Sequence, residues 1–219
     1  MEKNVIEYYV LCNKLKYVIR TGWVDWNISS DRIESVAEHI YGVLMLAIAM
    51  YSEFEYKIDL TKVLYMLSIH ELEEIIIGDL TMFQIDREEK KKKGHEAVAK
   101  ILSRLKNKEE IMNLVLEFDD RKTDEAKFAY QCDKLECDLQ ARIYDLSGFA
   151  DVTKGSDEML NKPRVHELYE KGYSLSEMWL LFGQQTYPYD ENFLKVSNYA
   201  LNNNILEVED EDWWLYKLL

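Results

Sequence analysis

Apolar residues recur at helical spacing along most of the chain and predict a succession of helices. Between residues 5 and 19 the repeating positions are apolar and predict a first helix: Val5, Tyr8, Tyr9, Cys12, Leu15 and Ile19. Residues 21–33 show no such period, so we expect a structured loop. Ser35 and Glu38 then have the spacing of a capping box, which places His39 in the first turn of a second helix.

A third helix is predicted between Asp59, which can cap its start, and Gly78, which can end it. Its wide apolar face is interrupted by three polar residues, His70, Glu71 and Glu74. Later helices are predicted over residues 87–105, 109–118, 124–146, 163–172, from 174 onward and over 191–203. No internal repeat or low-complexity linker divides the sequence, so we expect one compact arrangement.

Composition agrees with an all-α fold. The 219 residues include only two prolines and eight glycines, which leaves long helices uninterrupted, and 47% are hydrophobic, enough for a full core. The three cysteines lack CxxC spacing, so we interpret them as reduced thiols of a cytoplasmic protein.

Charge and hydropathy limit the classes of molecule that the protein can bind. The first residues do not resemble a signal peptide, and no stretch approaches the roughly 20 apolar residues that cross a membrane. The formal charge of −14 repels nucleic-acid backbones and anionic lipid surfaces. We therefore expect neither a long nucleic acid nor a membrane as partner, whereas a small anionic molecule is compatible with a local positive cluster or a metal.

The polar residues of the third helix are the candidates for chemistry. A lone histidine on an apolar face is more often a core residue than a ligand. However, Glu71 directly follows His70, and Glu74 lies one helical turn from His70. Adjacent helical residues diverge by about 100°, so a shared metal would need ligands from other segments.

His39 and Asp133 are suitable additional ligands. Asp133 lies within an apolar helical stretch, where a buried carboxylate must be paired or coordinate a cation. The alternative is an ion pair with one of three nearby cations: Lys127, Lys134 or Arg142. Histidine and carboxylate donors together suit Mn, Fe, Co, Ni or Zn better than Ca.

Three blocks of sequence resemble a known family. The three blocks are ESVAEH at residues 34–39, IHELEEIIIGDLT at 69–81 and EAKFAYQCDKLE at 125–136. Together with RTGW at 20–23, they resemble the HD-domain phosphohydrolases and, within them, the 5′-deoxynucleotidase branch. The resemblance covers about residues 13–145. It implies an all-α HD-domain core over residues 1–150 and hydrolysis of a small phosphate ester such as a (deoxy)nucleoside 5′-monophosphate. Residues 151–219 have no counterpart in this resemblance, and we predict that they form a C-terminal helical extension packed on the same domain.

The same resemblance assigns the site residues. It implies that a divalent transition metal, one per chain, is held by His39, His70, Glu71 and Asp133. Glu74 matches the family's proton-handling carboxylate, and Asp79 matches a second carboxylate near the substrate. The residues that match phosphate and sugar contacts are Arg20 and Trp23, with Arg32 as a weaker phosphate candidate.

One position departs from the family: Glu71 stands where an aspartate follows the histidine. This departure keeps an alternative open, a degenerate HD domain that binds nucleotide as a sensor or regulatory module without hydrolysis. The basic run from Lys90 to Lys93 is interpreted as a solvated helix face. His95 alone does not indicate a second metal, and a homodimer is left open.

Overall fold

The computed structural model describes residues 1–81 and 84–207, and the regular structure there is helical. The predicted all-α class is therefore confirmed for this part of the chain. The α-helices are α1 Glu2–Cys12, α2 Thr21–Asp25, α3 Val36–Glu53, α4 Leu60–Ile69, α5 Glu74–Ile77, α6 Arg87–Leu102, α7 Lys108–Asp120, α8 Asp124–Leu146, α9 Asp157–Leu160, α10 Pro163–Glu170, α11 Leu175–Thr186 and α12 Glu191–Asn202, with 3₁₀ turns at Asn13–Lys16 and Val152–Lys154.

The chain forms two compact units. Of the described residues, the first unit contains Met1–Gly22 and those of Glu34–Asp133, and the second contains Trp23–Ile33 and residues 134–207. The predicted boundary at residue 150 stays a prediction, and residues 208–219 of the predicted extension lie outside the described residues. Within the described ranges, no helix has the length and apolar character that a membrane crossing needs.

In the first unit, α4, α6 and α7 pack around an apolar cluster that lies next to the candidate site. Its buried members are Ile69, Leu72, Val98, Leu102, Ile111 and Val115. Ile69 and Leu72 flank His70 and Glu71 in the sequence, so burial of these two apolar side chains holds the polar pair at a fixed place. Tyr56 packs edge-on against Phe128, with ring centroids 4.6 Å apart, at the start of α8.

The first predicted helix ends earlier than the apolar period indicated. Regular helix stops at Cys12, a 3₁₀ turn follows, and Ile19 instead forms an isolated antiparallel bridge with Ser35. The Val36 N–H donates to the Val18 carbonyl at 2.8 Å, and the Arg20 N–H donates to the Glu34 carbonyl at 3.0 Å. Two adjacent β-branched residues, Val18 and Ile19, favour this extended pairing over helix. The bridge places Arg20 beside the start of α3.

The predicted loop over residues 21–33 begins with a short helix, α2, which the irregular composition did not indicate. In the second unit Trp23 of this helix is buried and packs against Trp179 and Tyr144, with ring centroids 4.8 and 5.3 Å away. Burial of this large aromatic side chain favours order in a segment whose residues have little helix preference.

The third predicted helix is also interrupted. Helix α4 ends at Ile69, residues 70–73 form turns, and α5 begins at Glu74. Here the N–H groups of Leu72, Glu74 and Ile75 donate to carbonyls three residues back, at 3.2, 3.1 and 3.3 Å, as in a 3₁₀ helix. The backbone around His70 and Glu71 is therefore more tightly wound than an α-helix. Gly78 ends α5 with φ of +75°, as predicted.

The other boundaries follow their local signals. Capping boxes at Ser35 and Ser174 begin α3 and α11, and Asp86 caps α6 through the N–H groups of Glu88 and Glu89. These starts agree with the sequence because a cap depends on residues within one turn of each other.

A close approach within the second unit gives a stability prediction. A Cβ added to Gly183 of α11 would overlap the carboxylate of the buried Asp138, which also accepts a hydrogen bond from the Tyr189 hydroxyl at 2.9 Å. We expect Gly183→Ala to lower the free energy of unfolding by about 1–3 kcal/mol through overpacking. Chemical denaturation measures the change.

The matched control is the same substitution in an Asp138→Ala background. Removing the carboxylate makes room for the new methyl group, so Gly183→Ala should then cost much less. Equal losses in the two backgrounds would show that the Gly183–Asp138 contact does not limit the size of residue 183.

Candidate metal centre

Four side chains of the first unit converge at one point. His39, His70, Glu71 and Asp133 each offer one ligand atom, and these four atoms all lie within 4.8 Å of one another. His39 Nε2 lies 3.2 Å from Asp133 Oδ1 and 3.9 Å from Glu71 Oε1. His70 Nε2 lies 3.7 Å from Glu71 Oε1 and 3.9 Å from Asp133 Oδ1. These are the four residues that the sequence predicted as ligands.

The capping box of α3 places His39. The Ser35 hydroxyl accepts the Glu38 N–H at 3.3 Å, the Glu38 carboxylate accepts the Ser35 N–H at 2.8 Å, and the His39 N–H donates to the Ser35 carbonyl at 3.0 Å. The imidazole that follows is completely buried. Because the helix start is held by three local hydrogen bonds, the direction of the His39 side chain is fixed before any ligand binds.

A backbone carbonyl sets the tautomer of His70. Nδ1 lies 2.6 Å from the Leu67 carbonyl oxygen, and since a carbonyl can only accept, Nδ1 carries the proton. In the neutral imidazole Nε2 then presents a lone pair, and this buried atom has no hydrogen-bond partner among the described residues. The ring also packs edge-on against Phe118, with centroids 5.2 Å apart. A histidine held in this way is the usual arrangement for a metal ligand.

The donor set fits a divalent metal ion. Ligand atoms about 2.0–2.2 Å from a metal are about 3–3.5 Å apart when adjacent in a tetrahedron or octahedron. The His39–Asp133 distance of 3.2 Å lies in that range, and the other three, at 3.7–3.9 Å, need small side-chain movements. Two imidazoles and two carboxylates also supply both the lone pairs and the negative charge that such an ion needs.

Arg20 lies beside this cluster. Its Nη1 is 3.7 Å from Glu71 Oε1 and 4.0 Å from Asp79 Oδ1, and its side chain is largely buried. Next to it, the Thr21 N–H donates to Asp79 Oδ2 at 2.7 Å and the Thr21 hydroxyl donates to the Asp79 carbonyl at 2.6 Å. The segment after α5 is thereby tied to the segment that carries Arg20. Sequence analysis did not single out Thr21, because a threonine in a loop has no distinctive pattern.

Glu74 is a buried carboxyl group next to the same cluster. Only 1% of the residue is exposed, and Oε2 has no hydrogen-bond partner among the described residues. Burial, reinforced by the negative charges of Glu71 and Asp79, raises the pKa of Glu74 well above its ordinary value, although Arg20 and Lys90 oppose the shift. A carboxyl group with a raised pKa can hold or release a proton near neutral pH.

Lys90 is the neighbour that the sequence interpretation missed. Its Nζ donates to the Leu80 carbonyl at 2.8 Å and lies 3.7 Å from Glu74 Oε1. The basic run is therefore not solvated throughout, because its first member turns inward. No periodicity could have identified it, since its partners belong to other elements of the chain.

His95 lies outside the four-residue cluster. Its Nε2 is 2.5 Å from Asp119 Oδ2, so a carboxylate on α7 is the partner of this imidazole. Trp23 and Arg32 belong to the second unit, where Trp23 is buried and Arg32 is exposed. Their predicted roles in substrate binding stay predictions.

Comparison with known proteins places the chain in a family. The family model described as HD domain matches residues 12–170. This chain belongs to the HD-domain family. It is 33% identical over 171 residues to the 5′-deoxynucleotidase HDDC2 of Dictyostelium discoideum, with 69% of this chain and 89% of the relative covered. It is 29% identical over 177 residues to the 5′-deoxynucleotidase HDDC2 of Homo sapiens, with 76% and 83% covered.

A solved structure has the same fold. The crystal structure of the PH0347 protein from Pyrococcus horikoshii OT3 superposes with a TM-score of 0.65 at 22% sequence identity, and the alignment covers 90% of this chain and 98% of that chain. The predicted membership of the HD-domain family is thus confirmed, and the fold of the chain agrees with it.

In this HD-domain protein we expect single substitutions of His39, His70 or Asp133 by Ala to abolish stoichiometric binding of a divalent metal. Each variant loses one donor, and the remaining three leave a buried charge or lone pair without its ion. Metal analysis of the purified variants measures the loss. His95→Ala is the control, because His95 pairs with Asp119. Full metal content in all three variants would refute the ligand assignment.

The departure at Glu71 has a separate test. We expect Glu71→Asp to weaken metal affinity modestly. Metal–oxygen bonds are usually about 2.0–2.2 Å long, so a side chain shorter by one methylene group leaves a strained or water-bridged bond. Glu71→Ala should weaken it far more, since a negative charge is lost with the bond. Titration with Mn or Co compares the two. If Glu71→Ala binds as tightly as the parent, Glu71 is not a ligand.

Proposed function

We propose that this HD-domain protein is a metal-dependent phosphohydrolase that removes phosphate from a (deoxy)nucleoside 5′-monophosphate. The observation that carries the proposal is the convergence of two imidazoles and two carboxylates within 4.8 Å beside the buried carboxyl group of Glu74. Relatives named 5′-deoxynucleotidase, at about 30% identity, support the substrate class. The charge of −14 also favours a small substrate over a long nucleic acid.

In this proposal one divalent transition metal, chosen from Mn, Fe, Co, Ni and Zn, is held by His39, His70, Glu71 and Asp133. Such an ion makes water more acidic and neutralises charge on a phosphoryl group. The chain contributes the fixed positions of the donors: His39 through the capping box and His70 through the Leu67 carbonyl. Glu71 and Asp133 supply the negative charge.

Arg20 is the proposed phosphate ligand. A guanidinium group can donate two parallel hydrogen bonds to phosphate oxygens, and an arginine held near the ligand cluster can stabilise charge that develops on them. Glu71 at 3.7 Å and Asp79 at 4.0 Å lie beside the guanidinium group at the edge of the cluster. The guanidinium group is therefore next to the four candidate metal ligands, where a phosphate held by the metal would lie within its reach.

Glu74 and Asp79 are the proposed proton-handling groups. Hydrolysis requires that water attack phosphorus and lose a proton, and that the departing 5′-oxygen gain one. Glu74, with its raised pKa, can take the proton from water or donate one to the leaving oxygen. Asp79, anchored by two hydrogen bonds from Thr21, is the other candidate for the second transfer. Positioning and electrostatics supply the remainder of the catalysis.

The test is phosphate release from a panel of ribo- and deoxyribonucleoside 5′-monophosphates with added Mn, Co or Ni. We expect release to depend on the metal and to stop when a chelator is added. If metal and nucleotide bind but no phosphate is released from any member of the panel, the chain is the binding module that the Glu71 departure left open. The homodimer and the cytoplasmic location stay predictions.

The variant that completes this test is Glu74→Gln. We expect it to keep the metal but to lose about 10²- to 10⁴-fold in turnover, the usual contribution of a general acid or base. The amide has nearly the shape of the carboxyl group, so folding should be retained, which circular dichroism can verify. Unchanged turnover at saturating substrate would remove Glu74 from its proposed role.

A further inference from the structure

Lys90 differs from the other cations of its basic run. Lys91 lies 3.6 Å from Asp120 and Lys93 lies 2.6 Å from Glu89, so both pair with exposed acids. The Lys90 ammonium group instead contacts a backbone carbonyl and a carboxyl group that is 1% exposed. Lys91 and Lys93 therefore behave as ordinary surface cations, whereas Lys90 does not.

The position of Lys90 is set by the start of α6. Asp86 caps this helix, and the Lys90 N–H donates to the Asp86 carbonyl at 2.8 Å. From this fixed turn the side chain extends to the Leu80 carbonyl, with Nζ–O of 2.8 Å, and to Glu74 Oε1 at 3.7 Å. The contact with Leu80 is a hydrogen bond and the contact with Glu74 is within ion-pair range, so one ammonium group lies close to both oxygens.

These two contacts join the groups proposed for proton transfer. Glu74 begins α5, whereas Leu80 directly follows Asp79 in the loop after it. By contacting the Glu74 carboxyl group and the Leu80 carbonyl, the Lys90 ammonium group holds the two proton-handling residues in one relative position. Thr21 holds the same loop from the other side, through Asp79.

Lys90 also bears on the charge of Glu74. A carboxyl group that transfers a proton must be able to ionise, and a buried carboxylate is strongly disfavoured unless a cation or several donors accompany it. Arg20 is another cation near Glu74, and it lies 3.7 Å from Glu71 and 4.0 Å from Asp79. The Lys90 ammonium group lies 3.7 Å from Glu74 Oε1 and can accompany that charge.

We propose that Lys90 is a positioning residue for the phosphohydrolase reaction: its ammonium group fixes the Glu74 carboxyl group relative to the Asp79–Leu80 segment. This inference rests on the proposed function and adds to it a residue on a separate helix, α6. Lys90 need not touch the substrate. It acts through the carboxyl group that it holds.

The first test separates turnover from substrate binding. We expect Lys90→Met to lower kcat by about 10²-fold, the usual cost when a reacting group is displaced by about 1 Å, with KM and metal content nearly unchanged. Lys90→Arg, which keeps the charge and the donors, should recover most of the turnover. Lys91→Met is the matched control and should behave like the parent. Parent-like turnover in Lys90→Met, or a rise in KM alone, would overturn the proposal.

A second test does not depend on turnover. Lys90→Met should lower Tm of the full chain, and should lower it less in a Glu74→Gln background, because the amide cannot ionise and so gains less from the neighbouring ammonium group. Additive changes in Tm would overturn the contact on which the proposal stands. If the parent releases no phosphate from any nucleotide, the proposed function fails, while this coupling still decides whether Lys90 supports Glu74.

Discussion

The burial of negative charge is the constraint on which the candidate site depends. Glu71, Glu74 and Asp133 are largely removed from water, and the side chain of Asp79 is only 11% exposed. Carboxylates in such surroundings repel one another and must be accompanied by cations, protons or hydrogen-bond donors. The first unit supplies all three kinds of partner, and together they form the candidate site.

The buried carboxyl groups have different kinds of partner. Glu71 and Asp133 face two imidazole nitrogens, an arrangement that a divalent cation completes. Asp79 accepts the Thr21 N–H at its carboxylate and the Thr21 hydroxyl at its backbone carbonyl, and it lies near Arg20. Glu74, beside Lys90, has its pKa raised mainly by burial and therefore tends to keep a proton. The same constraint thus accounts for a candidate metal centre, an anchored loop and a buried carboxyl group that can hold a proton.

The replacement of the family's aspartate by Glu71 is tolerated by the local backbone. Residues 70–73 form turns with hydrogen bonds to carbonyls three residues back instead of continuing α4. The Leu67 carbonyl accepts the His70 ring N–H, which directs Nε2 towards the cluster. With this winding, Glu71 Oε1 lies within 3.9 Å of both histidine nitrogens. The longer carboxylate is therefore present at the cluster and not displaced from it.

The sequence alone determined the features that depend on near neighbours. The capping box at Ser35 fixed the start of α3 and the place of His39, Gly78 marked the end of α5, and the three motif blocks identified the residues that converge on one point. Only the tertiary structure decided that Ile19 leaves the first helix, that the third helix breaks at His70, and that Lys90 turns towards Glu74. The physical reason is the range of the interactions. A cap or a helical period depends on residues within one or two turns of each other. The bridge at Ile19, the break at His70 and the contact of Lys90 depend on segments that are distant in the sequence and meet only in the folded chain.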